Sequence, residues 1–264
     1  MMHTAIADAL RESLTNSSQW LRMVFQPQYA LDDSRRLVGT EALIRWRHPR
    51  LGEISPADFI PVAEMTNQIV DLDRFVYRRI IGLIQAWQAF ALNFPPISVN
   101  ISPLSLCIPG FIDELIQSVE DADIPQRILG IEITERERLE TNSGSLKKME
   151  LIKQAGIGIS IDDFGVGYSS FPYIKHKIAS ELKIDRSFVS GIGHTYVDEA
   201  IIRSMIILGH SLGLKIVAEG IETKDQLDWL KTSGCQIGQG YFLSVPLEFE
   251  DYTRLISHQA LVPH

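Results

Sequence analysis

Nearly every short apolar run in this 264-residue chain ends in a carboxylate, an amide or a lysine, and that punctuation limits the folds open to it. Eight runs have strand character: Met23 to Gln28, Leu37 to Leu43, Ile97 to Ile101, Leu129 to Thr134, Gly156 to Ile161, Glu181 to Ile184, Leu214 to Ala218 and Cys235 to Gly238. Between them, spacings such as Leu72, Val76, Ile80, Leu83, Trp87 and Ile201, Met205, Leu208, Leu212 mark one buried helix face. Alternating strands and helices imply an α/β protein with a parallel sheet. The polar residues that end the runs are Glu41, Asn100, Glu132, Asp162, Lys183, Glu219 and Gln239, on average 33 residues apart. A (β/α)8 barrel uses about 31 residues per unit, so one TIM-like barrel suits the length better than two small domains. The long step from Glu41 to Asn100 calls for an extra lobe around His48 to Ala63, with the segment Pro56 to Pro61 as a loop and short helix beside the mouth. Residues 1–20, with a weak stripe of Ala5, Leu10 and Leu14, read as an N-terminal linker or helix, residues 21–258 as the barrel and 259–264 as a tail.

Charge and composition remove several functions. With 25 basic and 33 acidic residues the net charge is −8, which disfavours long nucleic acid and anionic lipid, and Arg45-Trp46-Arg47-His48 is too short a basic run to reverse that. No apolar stretch reaches the roughly 20 residues a membrane span needs, and the N-terminus lacks a signal-peptide core, so a cytoplasmic protein without membrane contact is expected. Cys107 and Cys235 form no metal or redox spacing, and the seven histidines fall in no metal-binding pattern.

In a barrel the C-terminal strand ends share one mouth, where such folds keep their chemistry. Glu41, Glu132, Glu135, Asp162, Asp163, Glu219 and Glu222, with Asn100, would gather there. Carboxylates so close raise one another's pKa unless cations intervene. Oxygen donors without cysteine or histidine select magnesium, manganese or calcium. The Asp162-Asp163 doublet could flank two ions, the usual device for in-line displacement at phosphorus, and Arg45 and Lys183 offer positive charge to a phosphate. Ordinary readings stand beside these. Asp162 could cap a helix, Lys183 could pair with Asp185, Asp185 reads as structural, and Glu222 could serve a helix dipole. Gly165-Val166-Gly167 reads better as a loop hinge than as a phosphate cradle.

The ordered series Glu41-Ala42-Leu43-Ile44-Arg45, Asn100-Ile101-Ser102, Glu132-Ile133-Thr134-Glu135, Asp162-Asp163-Phe164-Gly165, Leu182-Lys183-Ile184-Asp185, Ala218-Glu219-Gly220-Ile221-Glu222 and Gln239-Gly240-Tyr241 resembles the EAL-domain phosphodiesterases that hydrolyse cyclic di-GMP. The resemblance spans roughly Leu21 to Tyr252. It implies a modified barrel whose first strand runs antiparallel, two magnesium or manganese ions per site, inhibition by calcium, and linear pGpG as product. By position, Glu41, Asn100, Glu132 and Asp162 match ligands of the first ion, and Asp162 with Asp163 those of the second. Glu219 matches the general base or outer metal partner, Lys183 the contact to the attacking water, and Arg45 a contact to the substrate phosphate. Leu43 and Gln239 match residues lining the substrate site, and Glu135 the residue steadying the loop after Asp163. Homodimers formed through that loop, and a sensory or GGDEF domain in a longer parent chain, are further implications. Val166 replaces a frequent threonine and Ser180 a frequent aspartate, neither of them a ligand. A catalytically silent cyclic di-GMP receptor is the alternative, although silent members usually lack acidic ligands and none is missing here. An acidic cluster of this kind should leave the metal-free protein less stable than the loaded one, measured as a lower melting temperature in chelator than in magnesium.

Overall fold

β-branched residues fill the strand runs because both faces of a parallel strand are covered, one by the barrel interior and one by helices. The computed structural model describes residues 2–16, 18–134, 143–166 and 171–259. Helix α1 (Met2–Asn16) and a 3-10 turn lead into β1 (Leu21–Ala30) and β2 (Leu37–His48), followed by β3 (Gly52–Ile54), α2 (Pro56–Met65) and α3 (Ile69–Ala89). Next come β4 (Ile97–Asn100), α4 (Pro103–Cys107), α5 (Phe111–Asp121), β5 (Leu129–Thr134), α6 (Ser143–Gln154), β6 (Gly158–Phe164), α7 (Phe171–Lys175) and β7 (Glu181–Ile184). The chain continues through α8 (Arg186–Ser190), α9 (Tyr196–Leu212), β8 (Lys215–Ala218), α10 (Lys224–Thr232), β9 (Ile237–Gly238) and α11 (Phe249–Gln259).

The strands run in the order β1-β9-β8-β7-β6-β5-β4-β2, and pairing of β1 with β2 closes them into an eight-stranded barrel. From β2 round to β9 all neighbours are parallel. Strand β1 is antiparallel to both β2 and β9, as the family resemblance implies. All eight expected runs hold strands, Leu129–Thr134 and Glu181–Ile184 with the expected ends and the others with shifted ones. β2 runs on to His48 because it also forms a hairpin with β3, and β6 extends through Asp162 and Asp163 to Phe164. The long step is filled by β3, α2 and α3. Helix α2 starts where Ser55 caps it, its hydroxyl accepting the Ala57 N–H at 3.3 Å, with Pro56 in the first turn where its missing N–H costs nothing.

Helix α1 lies against this lobe. Its packed stripe is Ile6, Ala9, Leu10 and Ser13, whereas Ala5, expected on the stripe, is exposed: the turn that docks is set by the neighbours α1 meets. The Gln68 amide donates to the Ala7 carbonyl at 3.0 Å, and the Trp46 indole N–H donates to Ser13 Oγ at 3.0 Å. Trp46 and His48 are buried in this contact, so the Arg45 to His48 run is not a surface aromatic patch. Leu10 is fully buried, and Leu10→Ala is expected to cost about 3 kcal/mol, the usual penalty for a leucine-sized cavity, read from urea unfolding.

Candidate active site

Strand register delivers the polar residues to one place. Parallel pairing sets Asn100 opposite Glu132 and Thr134 opposite Asp162, and the two-residue period turns alternate side chains inward. At the centre stands Lys183, completely buried. Its Nζ lies 3.1 Å from Glu41 Oε2, 2.6 Å from Glu219 Oε1 and 3.6 Å from Asp162 Oδ1, and it also pairs with Glu132. The mouth therefore gathers Glu41, Asn100, Glu132, Asp162 and Lys183 from five strands, and Glu219 and Gln239 from just beyond the ends of β8 and β9.

Neighbours fix the orientation of each carboxylate. Glu41 Oε1 accepts from the Asn100 amide at 2.8 Å, and Oε2 accepts from the Gln239 amide at 2.6 Å. Gln239 in turn accepts from the Gln28 amide at 2.9 Å, and the Ser98 hydroxyl donates to Glu132. Gly240 follows with φ of 157°, and a Cβ there would come within 2.2 Å of the Ile221 backbone. That close approach lets the Ile221 N–H donate to the Gln239 carbonyl at 3.1 Å, tying the loop after β8, which carries Glu219, to the strand end that carries Gln239. Asp163 has φ of 54°, a left-handed conformation uncommon for a side-chain-bearing residue, and its N–H donates to Asp162 Oδ1 at 2.9 Å.

Four acidic groups around one ammonium cannot all carry full charge at equal cost. Burial pushes the Glu41 carboxyl up, but Lys183 and the donated hydrogen bonds from Gln239 and Asn100 outweigh it and hold Glu41 below the ordinary range. Glu132 is raised well above that range by burial and by the charge of Glu41. Glu219 is pushed up to about 8 by burial, against the pull of Lys183. Burial disfavours charge on Lys183, yet its four acidic neighbours raise its pKa well above the usual lysine value, so it stays an ammonium. Glu219 Oε1 is buried, and the group it faces is the Lys183 ammonium 2.6 Å away. Among the described residues no three His, Cys, Asp or Glu side chains form a ready cage for an ion, since Lys183 occupies the middle of the acidic group.

The remaining expected residues lie elsewhere. Leu43 and Arg45 line a cavity of about 250 Å³ beside the cluster, walled by α2, α3 and the loop after β4. The Arg45 guanidinium donates to the Ile44 carbonyl at 2.9 Å. Glu222 is exposed ahead of the Thr223 cap of α10 and does not join the cluster, its N–H donating to Gln226 at 2.8 Å. Asp185 caps α8 by accepting from the Ser187 N–H at 2.9 Å, the structural role expected of it. Glu135 lies outside the described residues.

Sequence reading missed Gln28, Ser98, Glu64 and Asp73. Gln28 had a signal, being an amide inside an apolar strand, and so had Asp73, a charge on the buried face of α3 between Leu72 and Val76. Asp73 accepts the Ser102 N–H at 3.0 Å, while the Ser102 hydroxyl donates to Glu64 at 3.1 Å, so both acids hold the turn that follows Asn100.

Fold and site together define a modified (β/α)8 barrel with a buried, lysine-centred acidic mouth. A family model described as EAL domain matches residues 7–246, and the chain belongs to the EAL-domain family. It is 37% identical over 241 residues to the bifunctional diguanylate cyclase/cyclic di-GMP phosphodiesterase MucR of Pseudomonas aeruginosa, covering 91% of this chain and 35% of that protein. It is 33% identical over 243 residues to the oxygen sensor protein DosP of Escherichia coli, covering 92% of this chain and 30% of that one. The chain spans about a third of the length of these curated relatives. The solved MucR phosphodiesterase in complex with c-di-GMP superposes with a TM-score of 0.86 at 36% identity, covering 94% of this chain and 99% of that one. The FimX EAL domain of Pseudomonas aeruginosa bound to c-di-GMP gives 0.77 at 25% identity, covering 94% and 98%. No helix among the described residues is long and apolar enough to cross a membrane.

Asp73 generates a pH prediction. Burial pushes its carboxyl from 3.8 up to about 7, against the pull of the Ser105 hydroxyl and the Ser102 N–H, with Glu64 adding to the rise. Arg45 lines the same cavity. Below pH 3.8 the group is protonated folded and unfolded; from there to about pH 7 the unfolded chain releases the proton while the native state keeps it. Its contribution to stability is therefore lost as pH rises, by roughly 1.4 kcal/mol per unit, until about pH 7. Asp73→Asn should remove this slope, so urea titrations at pH 5 and pH 8 are expected to show the variant gaining on the wild type by roughly 2–3 kcal/mol.

Proposed function

We propose that this chain is a metal-dependent phosphodiesterase that hydrolyses cyclic di-GMP to linear pGpG. The observation that carries the reading is the convergence of Glu41, Asn100, Glu132, Asp162, Glu219 and Gln239 on Lys183 at the barrel mouth. Likeness to the cyclic di-GMP phosphodiesterase MucR and to the FimX domain bound to c-di-GMP supports the choice of cyclic dinucleotide.

The donor set suits a hard divalent cation. Glu41, Asn100, Glu132, Asp162, Asp163 and Glu219, all of them hard oxygen donors, would hold two magnesium or manganese ions. When bound, such ions supply Lewis acidity toward the phosphate and lower the pKa of a water. Calcium, with its longer and more variable coordination, would bind without supporting the same geometry and inhibit.

The chain's own groups do the rest. Glu219, its Oε1 2.6 Å from Lys183, accepts the proton of the attacking water, while the Lys183 ammonium holds that water's oxygen in line. The hydroxyl adds to phosphorus, the P–O3′ bond breaks, O3′ takes a proton from solvent and Glu219 returns its own to solvent, giving one 5′-phosphate end and one 3′-hydroxyl end. Gln239, itself held by Gln28, keeps Glu41 oriented. Arg45 and Leu43 meet the substrate along the 250 Å³ cavity, Arg45 at a phosphate. Its apolar walls suit a purine, and the carboxyl of Asp73 at its side is an acceptor for guanine N–H donors. A cytoplasmic setting, a homodimer formed through the loop after Asp163, and an upstream sensory or GGDEF domain complete the reading.

Incubation with cyclic di-GMP and magnesium or manganese, followed by chromatography, is expected to show cation-dependent pGpG. Glu41→Gln should lower kcat at least about 100-fold, as loss of a ligand and of the partner of Asn100, Gln239 and Lys183 requires. Near-normal turnover by that variant would overturn the ligand assignment, and tight binding without product by the wild type would make the chain a receptor instead.

A further inference from the structure

We infer that Lys183 is an exchangeable internal cation: in the metal-free protein its ammonium stands in for the divalent ions, and an ion enters by displacing it. This rests on the metal-dependent reading above and concerns how the same site is regulated.

Glu41, Glu132, Asp162 and Glu219 surround Nζ within 3.6 Å, and Lys183 has no solvent exposure. An ammonium has three protons for four acidic partners. Glu41 and Glu132 accept hydrogen bonds from it, Glu219 lies 2.6 Å away and Asp162 3.6 Å, so four acidic groups share three protons. One positive charge thus balances the cluster only in part, while burying these groups with no cation at all would be severely unfavourable. A divalent ion brings twice the charge and accepts several oxygens at once, so it competes with the ammonium for the same atoms.

Displacement is mechanically available. Leu182 and Ile184, both fully buried, hold the strand on either side, whereas the four-carbon stem of Lys183 lets Nζ move while the backbone stays in place. Asn100 and Gln239 keep Glu41 aimed at the centre by bonds that do not involve Lys183. The donor set is therefore preserved in shape without metal, and occupancy follows the free cation concentration: the fold survives metal depletion and the site refills when metal returns.

Calorimetric titration of manganese into wild type, Lys183→Met and Lys183→Arg, with melting curves in chelator, tests this. Lys183→Met is expected to bind manganese at least tenfold more tightly than wild type, since no ammonium competes. In chelator it should melt more than about 5 °C lower than wild type, whereas Lys183→Arg, which keeps the charge, should lose less. Unchanged or weaker manganese binding by Lys183→Met overturns the inference and leaves the enzyme reading standing. Absence of manganese binding by the wild type overturns both. Should Lys183→Met fail to fold, wild-type crystals grown with chelator and with manganese decide: withdrawal of Nζ beyond about 4 Å from Glu41 or Glu132 in the loaded crystal supports exchange, and retention of both contacts beside bound manganese overturns it.

Discussion

The ion cluster on Lys183 is the constraint around which the barrel mouth is arranged. A fully buried ammonium is tolerable only among acidic groups, and several buried acidic groups are tolerable only around a cation. Each requirement answers the other, but incompletely, since one positive charge faces four carboxyl groups. The remainder is taken up as raised affinity for protons at Glu132 and Glu219. A site left in this state favours added positive charge.

Surrounding residues convert that demand into geometry. Gln28 holds Gln239, Gln239 and Asn100 hold the two oxygens of Glu41, and Ser98 holds Glu132. Because β1 runs against its neighbours, it brings Gln28 to the inside of the barrel beside β9, from which Gln239 leaves. Gly240 permits the backbone contact with Ile221 that joins the two loops. On the other side of the mouth, Glu64 and Asp73 grip Ser102 and so place the turn after Asn100, while α1 braces the start of α3 through Gln68 and β2 through Trp46. Alterations well away from the carboxylates can therefore reach them through short chains of hydrogen bonds.

Much of this was legible in the order of residues alone. Alternation of β-branched runs and helical stripes specifies strands and helices, and a polar residue at each run's end specifies a shared mouth, because parallel strands in a barrel all end on the same side. Glu41, Asn100, Glu132, Asp162, Lys183, Glu219 and Gln239 were recoverable on that ground. The amide in β1 and the acid on the buried face of α3 broke their local patterns, so they carried a signal, but nothing in the pattern says which partner satisfies them.

What the sequence by itself determined was the set of elements, their periodicity and the donors available, since these depend on neighbours a few residues apart. Only the tertiary structure decided that α1 docks by Ile6 and Leu10 with Ala5 facing outward, that Glu222 stays outside the cluster, and that Lys183 stands at its centre. Each of these is a contact between residues far apart in the chain, fixed by strand register and barrel closure, and its energy comes from burial and charge pairing that exist only once the barrel has closed.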